Sequence, residues 1–245
     1  MMLKRFVASV ATVAAAAVLA PAVLAPPGRA AGPRPAASPV VVELFTSQSC
    51  SSCPPADALL AELARTRPDI LALDFHVTYW DRLGWKDPYS LPQATQRQNR
   101  YAEHFGRDSV YTPQLVAGGR HQAIGSDRAA VLNAIAAAGA DGSATVLRLE
   151  RDGAAGLLLE AGAGRGAGQL LLIGFDPAHT TRVGGGENGG RTLTEANVVR
   201  SIVPAGAWQG EAISLHAPPP AGERTALLLQ ADDGRVLAAA LLPPG

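Results

Sequence analysis

From Pro39 the chain enters a continuous apolar run, VVVELF, at residues 40–45. Its length and β-branched content are those of a strand buried on both faces, as in a parallel sheet. TSQS then forms a polar loop. From Cys53 onward Ala56, Leu59, Leu60 and Leu63 recur at three- and four-residue spacing, which predicts an amphipathic helix. Pro54 and Pro55 fall in its first turn, where a missing N–H costs little, and Pro68 lies just past its end. ILALDFHV predicts a second buried strand from Ile70 to Val77. Strand, helix and strand in that order imply a right-handed parallel crossover.

Residues 78–109 break this pattern. Turn-like TYWDRLGWKDPYS is followed by a polar, helix-compatible stretch, LPQATQRQNRYAEHFG, and the whole reads as an insertion after the second strand. VYTPQLV, a Gly118-Gly119 turn and RHQAIGS then suit a β-hairpin. Ser126 or Asp127 is placed to cap a further helix, with Val131, Leu132 and Ile135 facing the core and Gly139 positioned to end it. Beyond Asp141-Gly142-Ser143 come short apolar runs separated by Gly, Asp and Pro turns, which suggest a small β-sandwich or barrel. The expected organisation is therefore an α/β domain over residues 40–140 followed by a β-rich, sandwich-like domain over 141–245.

The first residues change the picture of where the chain works. Lys4 and Arg5 precede an apolar run from Phe6 to Leu24, with small residues suited to cleavage near Ala25 or Ala30, so residues 1–30 read as a secretory signal peptide. An uncleaved anchor is the alternative, since the run is nearly long enough to span a bilayer. Its Ala-rich composition and Pro21 favour cleavage, giving a periplasmic or secreted protein with no stable membrane insertion. Residues 31–39, rich in Pro, Ala and Gly, read as a flexible linker. Lys plus Arg and Asp plus Glu both number 21, so net charge is zero and nothing asks for a nucleic-acid partner.

Cys50 and Cys53, the chain's two cysteines, are separated by Ser51 and Ser52. In an exported chain each is the obvious partner of the other. A bridge closing so short a loop restrains little of the unfolded chain, so its value is more chemical than structural. At a strand-to-helix junction Cys50 meets the positive end of a helix dipole, which favours thiolate and lowers a thiol pKa from about 8.5 toward about 3.5–7 in comparable motifs. Cys50 would then attack and Cys53 resolve the mixed disulfide. An inert disulfide and a two-ligand fragment of a metal site are the alternatives. His76, His104, His121, His179 and His216 show no paired spacing that would complete a zinc site.

The strand, Cys-x-x-Cys, helix and strand, with the later Thr112-Pro113, resemble the thioredoxin superfamily. That resemblance implies that Pro113 is a cis proline packed against the disulfide, with Thr112 beside it shaping the groove in which a substrate chain pairs. More narrowly, VVVELFTSQSCSSCPPADALLAELA, DFHVTYWDRLGWKDPYS, RQNRYAE, VYTPQLVAGGR and GENGGRTLTEANVVR are similar to the exported thioredoxin-like family known as domain of unknown function 1223. Ser49 departs from that family's pattern, which has Gly before the first cysteine. Glu43, on the first strand, stands one residue off the position where the superfamily buries an acid that assists proton transfer to the second thiol. A carboxylate hydrogen-bonded for structure is the alternative role.

Asp57, one helical turn past Cys53, is a candidate for orienting the site or for stabilising the helix start. Trp80 and Trp85 lie among charged residues in the insertion, as a substrate-facing wall or as packing over the sheet edge. GGENGGRT, residues 185–192, nearly matches a phosphate-binding loop but has Arg191 where Lys belongs, and reads as a glycine-rich turn between strands. The leading expectation is a thiol–disulfide oxidoreductase acting on protein thiols or disulfides with a redox partner protein. It needs no cofactor, because electrons move through the two sulfurs. A non-catalytic envelope binding or assembly protein, keeping the disulfide as a clip, is the alternative. A soft-metal handler is a weaker third.

Overall fold

The computed structural model describes residues 38–142, 145–153 and 156–244. The leader and all of the linker except Ser38 and Pro39 lie outside the described residues. β1 (Val40–Thr46), α1 (Pro54–Thr66) and β2 (Ile70–His76) form the crossover, and β1 and β2 pair in parallel from Val40↔Ile70 to Thr46↔His76. The insertion carries a short 3-10 turn at Asp81–Leu83 and then α2 (Pro92–His104). β3 (Gln114–Ala117) and β4 (His121–Ile124) make the hairpin, joined by three residues of which Gly118 and Gly119 have φ of 59° and 73°, in the left-handed region that favours glycine. α3 (Arg128–Asp141) is capped by the Asp127 carboxylate, which accepts from the Ala130 N–H at 3.1 Å. It runs through Gly139 and ends at Gly142, whose φ is 65°.

Seven further strands follow: β5 (Leu147–Asp152), β6 (Gly156–Ala161), β7 (Gly168–Arg182), β8 (Thr192–Trp208), β9 (Ile213–Ala217), β10 (Arg224–Gln230) and β11 (Val236–Leu241). The result is a mixed α/β fold dominated by sheet. One sheet has eight strands in the order β11-β10-β7-β8-β2-β1-β3-β4, and a second has three, β5-β6-β9. The boundary expected near residue 141 marks a change of element type and not a gap. β8 lies beside β2, so a single sheet holds strands from both sides of it, and the described residues lie in one compact unit. The sandwich expected at the C-terminal end is present only locally: β5 and β6 pack Leu147, Leu149, Leu157 and Leu159 against Leu170, Leu172, Leu227, Leu229 and Trp208 of the large sheet.

Strand parity decides which side chains reach the site. On β1, Val42 and Leu44 pack with Leu59, Leu60 and Leu63 of α1 and with Val131 and Ile135 of α3. Val41 and Phe45 face the opposite way, with Leu73 and Phe75 of β2, Tyr101 of α2 and Phe175 of β7. Side chains two apart share a face, so Glu43 goes with Val41 and Phe45, while Asp74 and His76 go with Ile70 and Ala72, on the α1 side.

Candidate active site around the Cys50–Cys53 disulfide

Thr46 ends β1, and the next seven residues turn the chain into α1. Cys50 N–H donates to the Ser47 carbonyl at 3.1 Å and Cys53 N–H to the Cys50 carbonyl at 3.2 Å, which wraps Cys-Ser-Ser-Cys into a tight loop. Cys53 is the N-cap of α1, with Pro54 and Pro55 in the first turn, and the disulfide joins Cα atoms 5.5 Å apart. Cys50 therefore sits just ahead of the helix N-terminus. Two hydroxyls meet its sulfur: Thr112 Oγ1 donates to Cys50 Sγ at 3.3 Å, and Ser52 Oγ lies 3.3 Å from it. The Thr112-Pro113 peptide is cis. Trp80 Nε1 donates to Thr112 Oγ1 at 2.8 Å, and Trp85 Nε1 donates to Gln48 Oε1 at 3.1 Å. The structure thus brings Thr112, Trp80 and Trp85 to the disulfide or its loop, with Pro113 adjoining Thr112 through the cis bond. Both sulfur residues are nonetheless enclosed, Cys50 at 1% and Cys53 at 0% exposure.

A segment distant in sequence also covers the cysteine loop. The turn between β7 and β8 contains a 3-10 segment, Gly186–Asn188, that lies against the cysteine loop. Asn188, fully buried, donates from Nδ2 to the Gln48 carbonyl at 3.0 Å and to the Cys50 carbonyl at 2.8 Å. Glu187 Oε2 accepts from the Ser51 N–H at 2.8 Å and from Ser51 Oγ at 2.7 Å. These donors hold the Glu187 carboxyl below its ordinary pKa, so it is ionised at neutral pH. Ser49 Oγ donates to the Trp85 carbonyl at 3.1 Å and so ties the cysteine loop to the insertion.

Beneath the disulfide, on the α1 side of the sheet, lies a buried ionisable cluster of Asp57, Asp74, His76, Asp87 and Glu195. His76 Nδ1 meets Asp87 Oδ2 at 2.7 Å, and the same oxygen accepts from the Gln48 N–H at 2.8 Å. Burial pulls the His76 pKa down, but the charges of Asp87 and Asp74 outweigh it and hold the imidazole well above its ordinary value. Burial likewise opposes ionisation of Asp87, and His76 reverses the balance, leaving that carboxyl low. The other three acids go the opposite way. Burial, reinforced by Asp74, drives Asp57 well above the usual carboxylate range despite a 2.7 Å hydrogen bond from Thr46 Oγ1. Burial also raises Asp74, and it pushes Glu195 up to about 7 although Gln48 Nε2 donates to it at 2.9 Å. Among the described residues, the buried side-chain polar atoms without a hydrogen-bond partner all belong here: both Asp74 oxygens, His76 Nε2 and Glu195 Oε1. Three carboxyls that resist ionisation therefore lie behind Cys53, beside one balanced His76–Asp87 pair.

Glu43 is not among them, which corrects its assignment as the proton-accepting acid. Its strand parity turns it to the α2 face, where Tyr101 donates to Oε1 at 2.7 Å and Arg97 Nη2 to the same oxygen at 2.9 Å, with Arg97 Nε on the other oxygen. Both oxygens are thereby used, and neither meets a sulfur. Parity of the second strand held the missing signal: Asp74 and His76 are ionisable residues two apart in an otherwise apolar strand, hence on one buried face. No comparable signal links Glu187, Asn188 or Glu195 to residues some 140 positions earlier.

The family described as "Protein of unknown function (DUF1223)" matches residues 41–230. The chain belongs to this family. AGR_C_4864 from Agrobacterium tumefaciens, solved by X-ray crystallography, is similar to the present DUF1223 chain at 28% identity and a TM-score of 0.74, over 84% of this chain and 95% of its own. HBP35 of Porphyromonas gingivalis shares the fold at 14% identity and a TM-score of 0.55, over 84% of this chain and 74% of its own. No curated protein matches the DUF1223 chain. Among its described residues no helix is long and apolar enough to cross a membrane.

Proposed function

We propose that the chain is an exported thiol–disulfide oxidoreductase of thioredoxin-like design, acting on protein thiols or disulfides in the periplasm or outside the cell. The observation that carries this reading is the position of the disulfide at the N-terminus of α1, with the Thr112 and Ser52 hydroxyls 3.3 Å from Cys50 Sγ. A helix dipole and two hydroxyl donors stabilise a thiolate at Cys50 more than they stabilise a neutral thiol.

In the oxidising direction a substrate thiolate attacks Cys50 Sγ. The Cys50–Cys53 bond breaks and its electron pair leaves on Cys53. A second substrate thiolate then attacks its own mixed-disulfide sulfur and releases Cys50 as thiolate, so the substrate gains a disulfide and the protein two thiols. The reducing direction runs the same steps backwards, with Cys50 attacking and Cys53 resolving. Asp57, one turn along α1 from Cys53 and with a carboxyl that burial raises well above the usual carboxylate range, is the acid suited to exchange a proton with Cys53. Thr112 and Pro113 shape the groove for the substrate chain, and Trp80 fixes Thr112.

The alternative, a binding or assembly protein using the disulfide as a clip, is favoured by one observation: neither cysteine is exposed to an approaching protein. Mixed-disulfide trapping separates the two. Cys53→Ser, incubated with scrambled ribonuclease, is expected to form a covalent adduct through Cys50 that a reductant dissolves, while Cys50→Ser forms none. No adduct from either variant would move the reading to the clip.

A further inference from the structure

The tip of the β7–β8 hairpin contacts the cysteine loop with two chemically different side chains. Asn188 binds backbone carbonyls, which keep the same charge whether the cysteines are oxidised or reduced. Glu187 instead places an ionised carboxylate on the N–H of Ser51, the residue bonded directly to Cys50. The fit is close: a Cβ on Gly186 would stand 2.7 Å from Ser49 Oγ, and its φ of 67° also calls for glycine. With the tip in this position Cys50 is enclosed.

We propose that residues 183–191 form a strap over the Cys50–Cys53 loop and that Glu187 is the positioning residue coupling it to the sulfur chemistry. This rests on the exchange reading above. In the disulfide state Cys50 carries no charge, and Glu187 clamps Ser51 without opposition. Reduction takes two electrons from a donor dithiol, which closes to its own disulfide, and leaves Cys50 as thiolate and Cys53 as thiol. A second negative charge then stands beside the carboxylate, so the strap loosens and bares Cys50. By reciprocity the closed strap favours the disulfide, and Glu187 raises the Cys50 pKa and makes the potential more negative. Two other charged groups meet this corner: Arg191, whose Nη1 donates to Asn188 Oδ1 at 2.7 Å and fixes the amide, and Asp87, which accepts from the Gln48 N–H at 2.8 Å on the inner side of the loop and is unchanged in the Glu187 variants.

The test uses the full chain and two variants, with dithiothreitol as the reductant. Glu187→Gln keeps an oxygen acceptor for Ser51 and removes the charge; Glu187→Ala removes both. Glu187→Gln is expected to lower the Cys50 alkylation pKa by about half a unit to one unit and to shift the equilibrium with glutathione about 3- to 10-fold toward the dithiol form. High salt should shrink the difference from wild type, because the carboxylate is exposed and screened. Glu187→Ala should in addition be reduced by dithiothreitol several-fold faster. Variants equal to wild type in pKa, equilibrium and rate would overturn the strap, even if the wild-type pair exchanges readily. A wild-type pair that resists reduction, alongside a Glu187→Gln shift of the predicted sign, would overturn the exchange reading and leave the strap standing.

Discussion

Four carboxyls and one imidazole share the buried space behind Cys53, and the charge balance among them sets how stability responds to pH. Glu195, held at about 7 by burial, prefers to be protonated in the fold. Its contribution is fully present below the ordinary pKa of 4.5 and is lost as pH rises through about 7. A shift of this size corresponds to something on the order of 3 kcal/mol. The raised His76 acts in the same sense, its contribution being lost as pH rises through its folded value, whereas the lowered Asp87 matters only in acid. Glu195→Gln leaves an amide oxygen that can accept from Gln48 and removes the titration. It is expected to flatten the fall in unfolding free energy between pH 5 and pH 8, measured by urea denaturation; a slope equal to wild type would show that Glu195 does not carry a raised pKa. At this scale the sequence made the cysteines and the Thr112-Pro113 pair legible, because their chemistry lies in residue type and local order. At Glu43 the sequence leaves two roles open, and the face on which the side chain emerges gives it the structural one, held by Arg97 and Tyr101.

Among the elements, those read correctly are held by local patterning: the β1–α1–β2 crossover, α2, the β3–β4 hairpin and α3 each follow from periodicity and turn residues within a short window. The strands β7 and β8, of 15 and 17 residues, extend well beyond the short apolar runs that the sequence pattern predicts. Pro177 and Pro204 interrupt their apolar runs, and burial along β8 follows no clean alternation, because its face changes neighbours along its length. What aligns them is pairing with distant strands, which a local pattern does not encode. Their placement gives a prediction. Residues 38–142 alone lack β7, β8 and β10, so Leu73 and Phe75 lose Leu171, Ile173, Phe175 and Leu228 as packing partners, at roughly 1.5–3 kcal/mol for each large side chain left bare. That fragment is expected to show no cooperative thermal transition by circular dichroism, while the chain from residue 38 to its end melts cooperatively. A fragment with its own sharp transition would support two independently folding domains.

Taken as a whole, the molecule brings its C-terminal half to its N-terminal chemistry: one long hairpin supplies Glu195 beneath the disulfide and Glu187 with Asn188 above it. The central claim, that the Cys50–Cys53 bond exists to be exchanged, is tested most directly by its equilibrium reduction potential in a glutathione buffer, together with the alkylation pKa of Cys50. The account predicts a potential well above about −300 mV and a Cys50 pKa below the free value near 8.5. A potential below about −300 mV with an ordinary thiol pKa would contradict it, and would make the bond a structural clip in a binding protein.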